Sequence, residues 1–150
     1  MGGHGKLSER VIHDLIGKIY DAAMDRSQWQ SVLERIAETM GAPRALLLSH
    51  TRAPEDGGTW AFHELGAEIL RPYMEHFVHQ DIWHQVGLKR GLEVSGSIVT
   101  GESLIDDHTL FESEFYNDYL RHMGMFRLCT TIIHDGSEHP APNVHLRTYP

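Results

Sequence analysis

Trp29, Val32, Leu33, Ile36, Ala37 and Met40 recur at i, i+3, i+4, i+7, i+8 and i+11, so one face of an amphipathic helix is apolar along its whole length. Gly41 stops that helix and Pro43 prevents it from resuming, and "ALLLSH" then follows as an apolar run of strand length. That stripe needs a core to cover it, so Trp29, its first residue, is expected to be largely buried. The junction of helix and strand sets the frame for the rest of the chain.

Upstream, Val11, Ile12, Leu15, Ile16, Ile19 and Tyr20 have helical spacing behind Ser8, a residue able to cap free amides, and Ser27 or Asp25 can cap the second helix. Downstream, "RAPEDGGT" reads as a loop and "WAFH" as a short strand. Ile69, Leu70, Tyr73, Met74, Phe77 and Val78 mark a third amphipathic helix, in which Pro72 is tolerable only near the first turn. "SGSIVTG" reads as a strand, and Leu110, Phe111, Phe115, Tyr119, Leu120 and Met123 as the apolar stripe of a helix stopped by Gly124. "MFRLCTTIIH" and "VHLRTY" read as strands on either side of a turn-rich "DGSEHPAPN". Most connections are too short for the crossovers of a parallel sheet, so an α+β fold with helices packed on an antiparallel sheet is expected, in a single domain over 1–150.

Composition narrows the function. The 150 residues carry a net charge of -8, which repels a phosphate backbone, so direct nucleic-acid binding is not expected. There is no run of about 18 apolar residues to span a membrane. The single cysteine, Cys129, excludes an internal disulfide and fits a reducing cytoplasm. Cys129 paired with a distant histidine would be an enzyme's nucleophile, but a thiol inside a strand is more often inert. Among the 12 histidines, His76, His79 and His84 with Asp81 between them offer imidazole and carboxylate, yet no HExxH or cysteine set accompanies them. Neither a metal nor a cofactor is expected, and no catalytic residue stands out.

Two longer stretches carry a resemblance. "IYDAAMDRSQWQSVLERIAETMGAPRALLL", followed by "FESEFYNDYLRHMGM" and "IIHDG", resembles the amino-terminal sensor domain of LuxR-type helix-turn-helix transcriptional regulators, from about Ile19 to Leu146. The resemblance implies a PAS-like or GAF-like fold whose antiparallel sheet and covering helices enclose a small-molecule pocket. In such regulators a carboxy-terminal helix-turn-helix reads DNA. That domain is not among these residues, so the chain is expected to be either a fragment or a stand-alone sensor.

"YMEHFVHQDIWH" is similar to the pocket of acyl-homoserine-lactone receptors in that family, with Ile82 in place of a proline. The resemblance implies that Tyr73, Phe77, Asp81 and Trp83 line a site for a small amphipathic ligand. Asp81 would accept a hydrogen bond from a ligand amide while the rings cover an apolar chain. The alternative for Asp81 is that it caps a helix starting at Ile82. For the whole chain, a ligand-free dimerisation or interaction module is the competing reading, and a small metal- or cysteine-dependent enzyme the third. A homodimer is expected in either of the first two, with Val11, Ile12 and Leu15 as a candidate surface.

Overall fold

The computed structural model describes residues 6–49, 59–92, 94–133 and 144–150; the two turn-rich segments 52–58 and 135–143 lie outside the described residues. Helix α1 (Glu9–Met24) starts at Ser8, whose hydroxyl accepts from the Val11 amide at 3.3 Å. A 3-10 turn, Arg26–Gln28, follows; Asp25 caps it by accepting from Ser27 N–H. Helix α2 (Trp29–Met40) ends at Gly41, whose φ of +63° is the left-handed conformation that glycine adopts without a Cβ clash.

Among the described residues five strands form one antiparallel sheet: β1 (Arg44–Ser49), β2 (Thr59–His63), β3 (Ile98–Thr100), β4 (Cys129–Ile133) and β5 (Val144–Tyr149), in the order β2-β1-β5-β4-β3. The fold is therefore α+β, as the short connections imply.

Strand alternation divides the core in two. Ala45, Leu47 and Leu146 face α2, where Leu33 and Ala37 cover them. On the opposite face Leu46, Leu48 and Tyr149 meet α3 (Ala67–Glu75), α4 (Ile82–Lys89), α5 (Gly101–Leu104) and α6 (Asp107–Glu112). After α6 the chain winds into one wide π turn, Phe115–Tyr119, and a 3-10 turn, Leu120–Met123, ending at Gly124 with φ +65°.

The structure departs from the sequence pattern at four places. Trp29 is half-buried, because it packs at the margin of the α2 cluster and not under it. The third helix does not run through Val78: α3 stops at Glu75, and Phe77–His79 form a separate 3-10 turn before Asp81 opens α4. Pro72 sits well inside α3, leaving the Glu68 carbonyl without its usual i+4 donor in a helix that ends three residues later. Phe111 is 40 % exposed, because the break after Glu112 and the π turn rotate Phe115 and Tyr119 to the core without it.

Candidate functional site

The sequence of β5 alternates Val-His-Leu-Arg-Thr-Tyr, and its polar half, His145, Arg147 and Tyr149, faces the larger core. Arg147 stands directly across from Leu46 on one side and Thr130 on the other, and His145 across from Leu48 and Ile132. A guanidinium in such surroundings requires a counter-charge. Asp81 supplies it: the two residues are 1 % and 0 % exposed, and Arg147 Nη1 donates to Asp81 Oδ2 at 2.6 Å.

Local structure holds the carboxylate in place. Asp81 is the N-cap of α4, its Oδ1 accepting from the His84 amide at 3.1 Å, so the helix-capping reading of this residue holds. The Tyr73 hydroxyl, from α3, donates to Oδ2 at 2.7 Å. Capping and ion pairing thus use different oxygens of one carboxylate.

The electrostatics follow from burial. Burial pushes the Tyr73 phenol well above its ordinary value, and the Asp81 charge adds to the rise. Burial opposes the charge on Arg147, but Asp81, helped by Tyr73 and Tyr149, outweighs it and raises the guanidinium pKa further. Tyr149 is raised by burial, with Arg147 acting against the rise. All three groups keep their neutral-pH protonation states.

Around this cluster lies a layer of rings. Phe77 stacks on Tyr119 at 4.8 Å, Tyr119 on Phe115 at 5.7 Å, and Trp83 meets Phe115 edge-to-face at 5.8 Å. Tyr73 lies 5.8 Å from Tyr119, whose hydroxyl donates to the Ile69 carbonyl at 2.8 Å. The structure thus gathers Tyr73, Phe77, Asp81 and Trp83 on one side of the sheet, with Phe115 and Tyr119 filling the space among the rings. Trp83 also forms a wall of a small cavity with His84, Gly87, Leu128, Thr130, Ile132, His145 and Arg147. Its free volume is about 20 Å³, room for one water molecule or one terminal oxygen. Tyr73, Phe77 and Asp81 do not line it.

Sequence reasoning passed over Arg147, Thr130 and His145. The signal was present as alternation: a strand with His, Arg and Tyr on one face and Val, Leu and Thr on the other resembles a half-solvated strand, and only a buried acid elsewhere reverses that assignment. Of the histidines weighed as metal ligands, His76 lies edge-on to Phe77 and His84 edge-on to His145. Among the described residues no group of three or more His, Cys, Asp or Glu side chains is placed to hold a metal ion. Cys129 is partly buried, and burial raises its thiol pKa, the opposite of what an activated nucleophile needs. No described helix is long and apolar enough to cross a membrane.

No protein-family model matches the chain, and no curated protein matches it by sequence. A solved structure is similar in fold: the LBD domain of VqsR from Pseudomonas aeruginosa, with a TM-score of 0.64 at 18 % identity, over 91 % of this chain and 78 % of that one. At that identity the likeness is one of fold: helices and antiparallel sheet are arranged as in a domain named for binding a ligand.

Proposed function

We propose that this chain is the small-molecule-sensing domain of a LuxR-type transcriptional regulator, PAS-like or GAF-like in fold and cytoplasmic, with Tyr73, Phe77, Asp81 and Trp83 forming the wall against which an amphipathic ligand binds. The observation that carries the reading is the buried Tyr73–Asp81–Arg147 cluster inside an aromatic layer, in a fold shared with a ligand-binding domain. Packing alone does not call for a buried ion pair, since apolar residues of similar volume serve stability as well or better. Ligand entry would displace rings of the Phe77–Tyr119 stack, and the signal is a population shift: the ligand favours the opened arrangement and moves the helices over the sheet. DNA reading belongs to another domain, because this chain is acidic.

Dimerisation completes the reading. Helix α1 carries two adjacent stripes: Val11, Leu15 and Ala22 turn toward the body of the domain, while Ile12, Ile16 and Ile19 lie exposed at a four-three spacing. The exposed stripe has the spacing of a helix-pairing seam, and a second copy of α1 is its proposed partner. The candidate surface thus shifts from Val11 and Leu15 to Ile16 and Ile19.

Native mass spectrometry of the chain purified from cells tests both parts. A retained small molecule on a dimer supports the sensor, and dissociation by Ile16→Glu without unfolding supports the seam. A dimer that carries nothing, and binds nothing from a cell extract, favours the interaction module; the small cavity volume is the observation on that side.

A further inference from the structure

Two polar groups facing the larger core are buried without a hydrogen-bond partner among the described residues: Arg147 Nε–H and the Thr130 hydroxyl. They are direct cross-strand neighbours on β5 and β4, 1 % and 5 % exposed, and both line the cavity beside Trp83. A buried donor without an acceptor is costly, and two on one small cavity mark a place made for an oxygen atom. We propose that Arg147 and Thr130, not Asp81, are the polar anchor of the sensing site, and that they take the neutral carbonyl oxygen of a small, otherwise apolar molecule. The inference rests on the sensing reading and moves its polar contact into this cavity, which shares Trp83 with the proposed wall.

Charge balance selects the class of ligand. Arg147 is already neutralised by Asp81, whose Oδ2 also accepts from Tyr73 and whose Oδ1 accepts from the His84 amide. An anion would add a negative charge beside a guanidinium that Asp81 already neutralises, and a cation would meet that guanidinium at close range. A carbonyl oxygen adds no charge, and its two lone pairs match the two donors. The volume of about 20 Å³ accommodates that oxygen, and Leu92, Val99, Leu104, Leu128 and Ile132 offer apolar surface to the carbon chain. Of these, Leu92 and Val99 are only partly buried, which puts the exit for the chain on the β3 side.

The probes are 2-hexanone, hexanoate and hexylammonium, titrated separately into the chain while the Arg147 Nε–H and Trp83 indole resonances are followed by NMR. The expected result is a saturable shift of both resonances with 2-hexanone and none with the two ions. Thr130→Val should weaken the ketone about two- to tenfold, and Arg147→Lys, which keeps the charge opposite Asp81 but loses Nε–H, about ten- to a hundredfold. Should the lysine variant fail to fold, the near-isosteric valine variant still decides. Hexanoate binding as tightly as the ketone, ketone binding indifferent to Thr130→Val, or no saturable shift with any probe would each overturn the anchor. The sensing reading is judged separately by the retained ligand: a molecule found by mass spectrometry whose binding moves Tyr73 and Phe77 but not Arg147 leaves the sensor standing without this anchor.

Discussion

Asp81 and Arg147 meet at 2.6 Å across 66 residues of chain, so the start of α4 and the centre of the sheet are tied by one fully buried ion pair. Removing one partner strands the other charge in the core. Asp81→Ala should destabilise the domain by about 3 to 5 kcal/mol, and the double variant Asp81→Leu/Arg147→Met by much less than the sum of the single losses. Urea unfolding of the three variants checks this, and additive losses would show that the pair is not coupled.

Trp83 and Trp29 should differ in the same assay. Trp83 is almost completely buried between Phe115 and the sheet, and its replacement by alanine should cost about 3 to 5 kcal/mol. Trp29, half-buried at the edge of the α2 cluster, should lose about 1 to 2 kcal/mol when truncated to alanine, in line with its smaller buried area. An equal or larger loss at Trp29 would mean that the α2 face carries the stability.

These residues also show where the sequence is legible. Every strand and the first two helices follow from local period and stop signals, as Gly41 and Pro43 illustrate, because those elements bury one face by short-range rules. The region between Ala67 and Met123 is less legible. There α3, α4, α5, α6 and the π turn are each a few turns or less, and the packing of Phe115 and Tyr119 against Tyr73, distant in the chain, decides which face turns inward. Tyr73, Phe77, Asp81 and Trp83 could be put forward from their similarity to a family pattern, and what the structure adds is that they lie on one side of the sheet. Arg147 could not be put forward in this way, since its burial depends on an acid placed by another helix.

Two surface carboxyls contribute to stability toward acid. Asp106 caps α6, accepting from the Thr109 amide at 2.7 Å, and Asp107 pairs with Arg127 at 2.7 Å; those hydrogen bonds hold both carboxyls below their ordinary value of 3.8. A carboxyl with a lowered folded-state pKa contributes stability that is present above its unfolded value and lost as pH falls through the folded one. Between pH 7 and about 5 this contribution should be constant, and it should disappear below about pH 4. Asp106→Asn, followed by thermal unfolding across that range, should flatten the acid limb; an unchanged limb would exclude the cap.

Alkaline unfolding should come from the phenols. Burial is the main reason that Tyr73, Tyr119 and Tyr149 have raised pKa values, so their contribution is intact below about pH 10, the unfolded value, and is lost as pH rises above it. Their phenolate absorbance should therefore appear only together with the loss of structure. Titration of all five tyrosines before unfolding would contradict their burial.

A pair of glycines offers the sharpest local test. At Gly101, the first residue of α5, a Cβ would stand 3.0 Å from Trp83 Nε1 and 3.4 Å from Leu128 Cβ, and the Trp83 ring is backed by Phe115. The indole has little room to yield, so Gly101→Ala should cost about 1 to 3 kcal/mol and alter Trp83 fluorescence. Gly17, on the exposed side of α1, has nothing within 4 Å of where a Cβ would stand, and alanine there removes only the backbone entropy penalty of a helical glycine. Gly17→Ala should stabilise by about 0.5 to 1 kcal/mol. Thermal unfolding of the two variants should therefore move in opposite directions; a neutral Gly101→Ala would mean that the wall of the cavity at Trp83 is soft, and that the ring can shift aside for a ligand without cost.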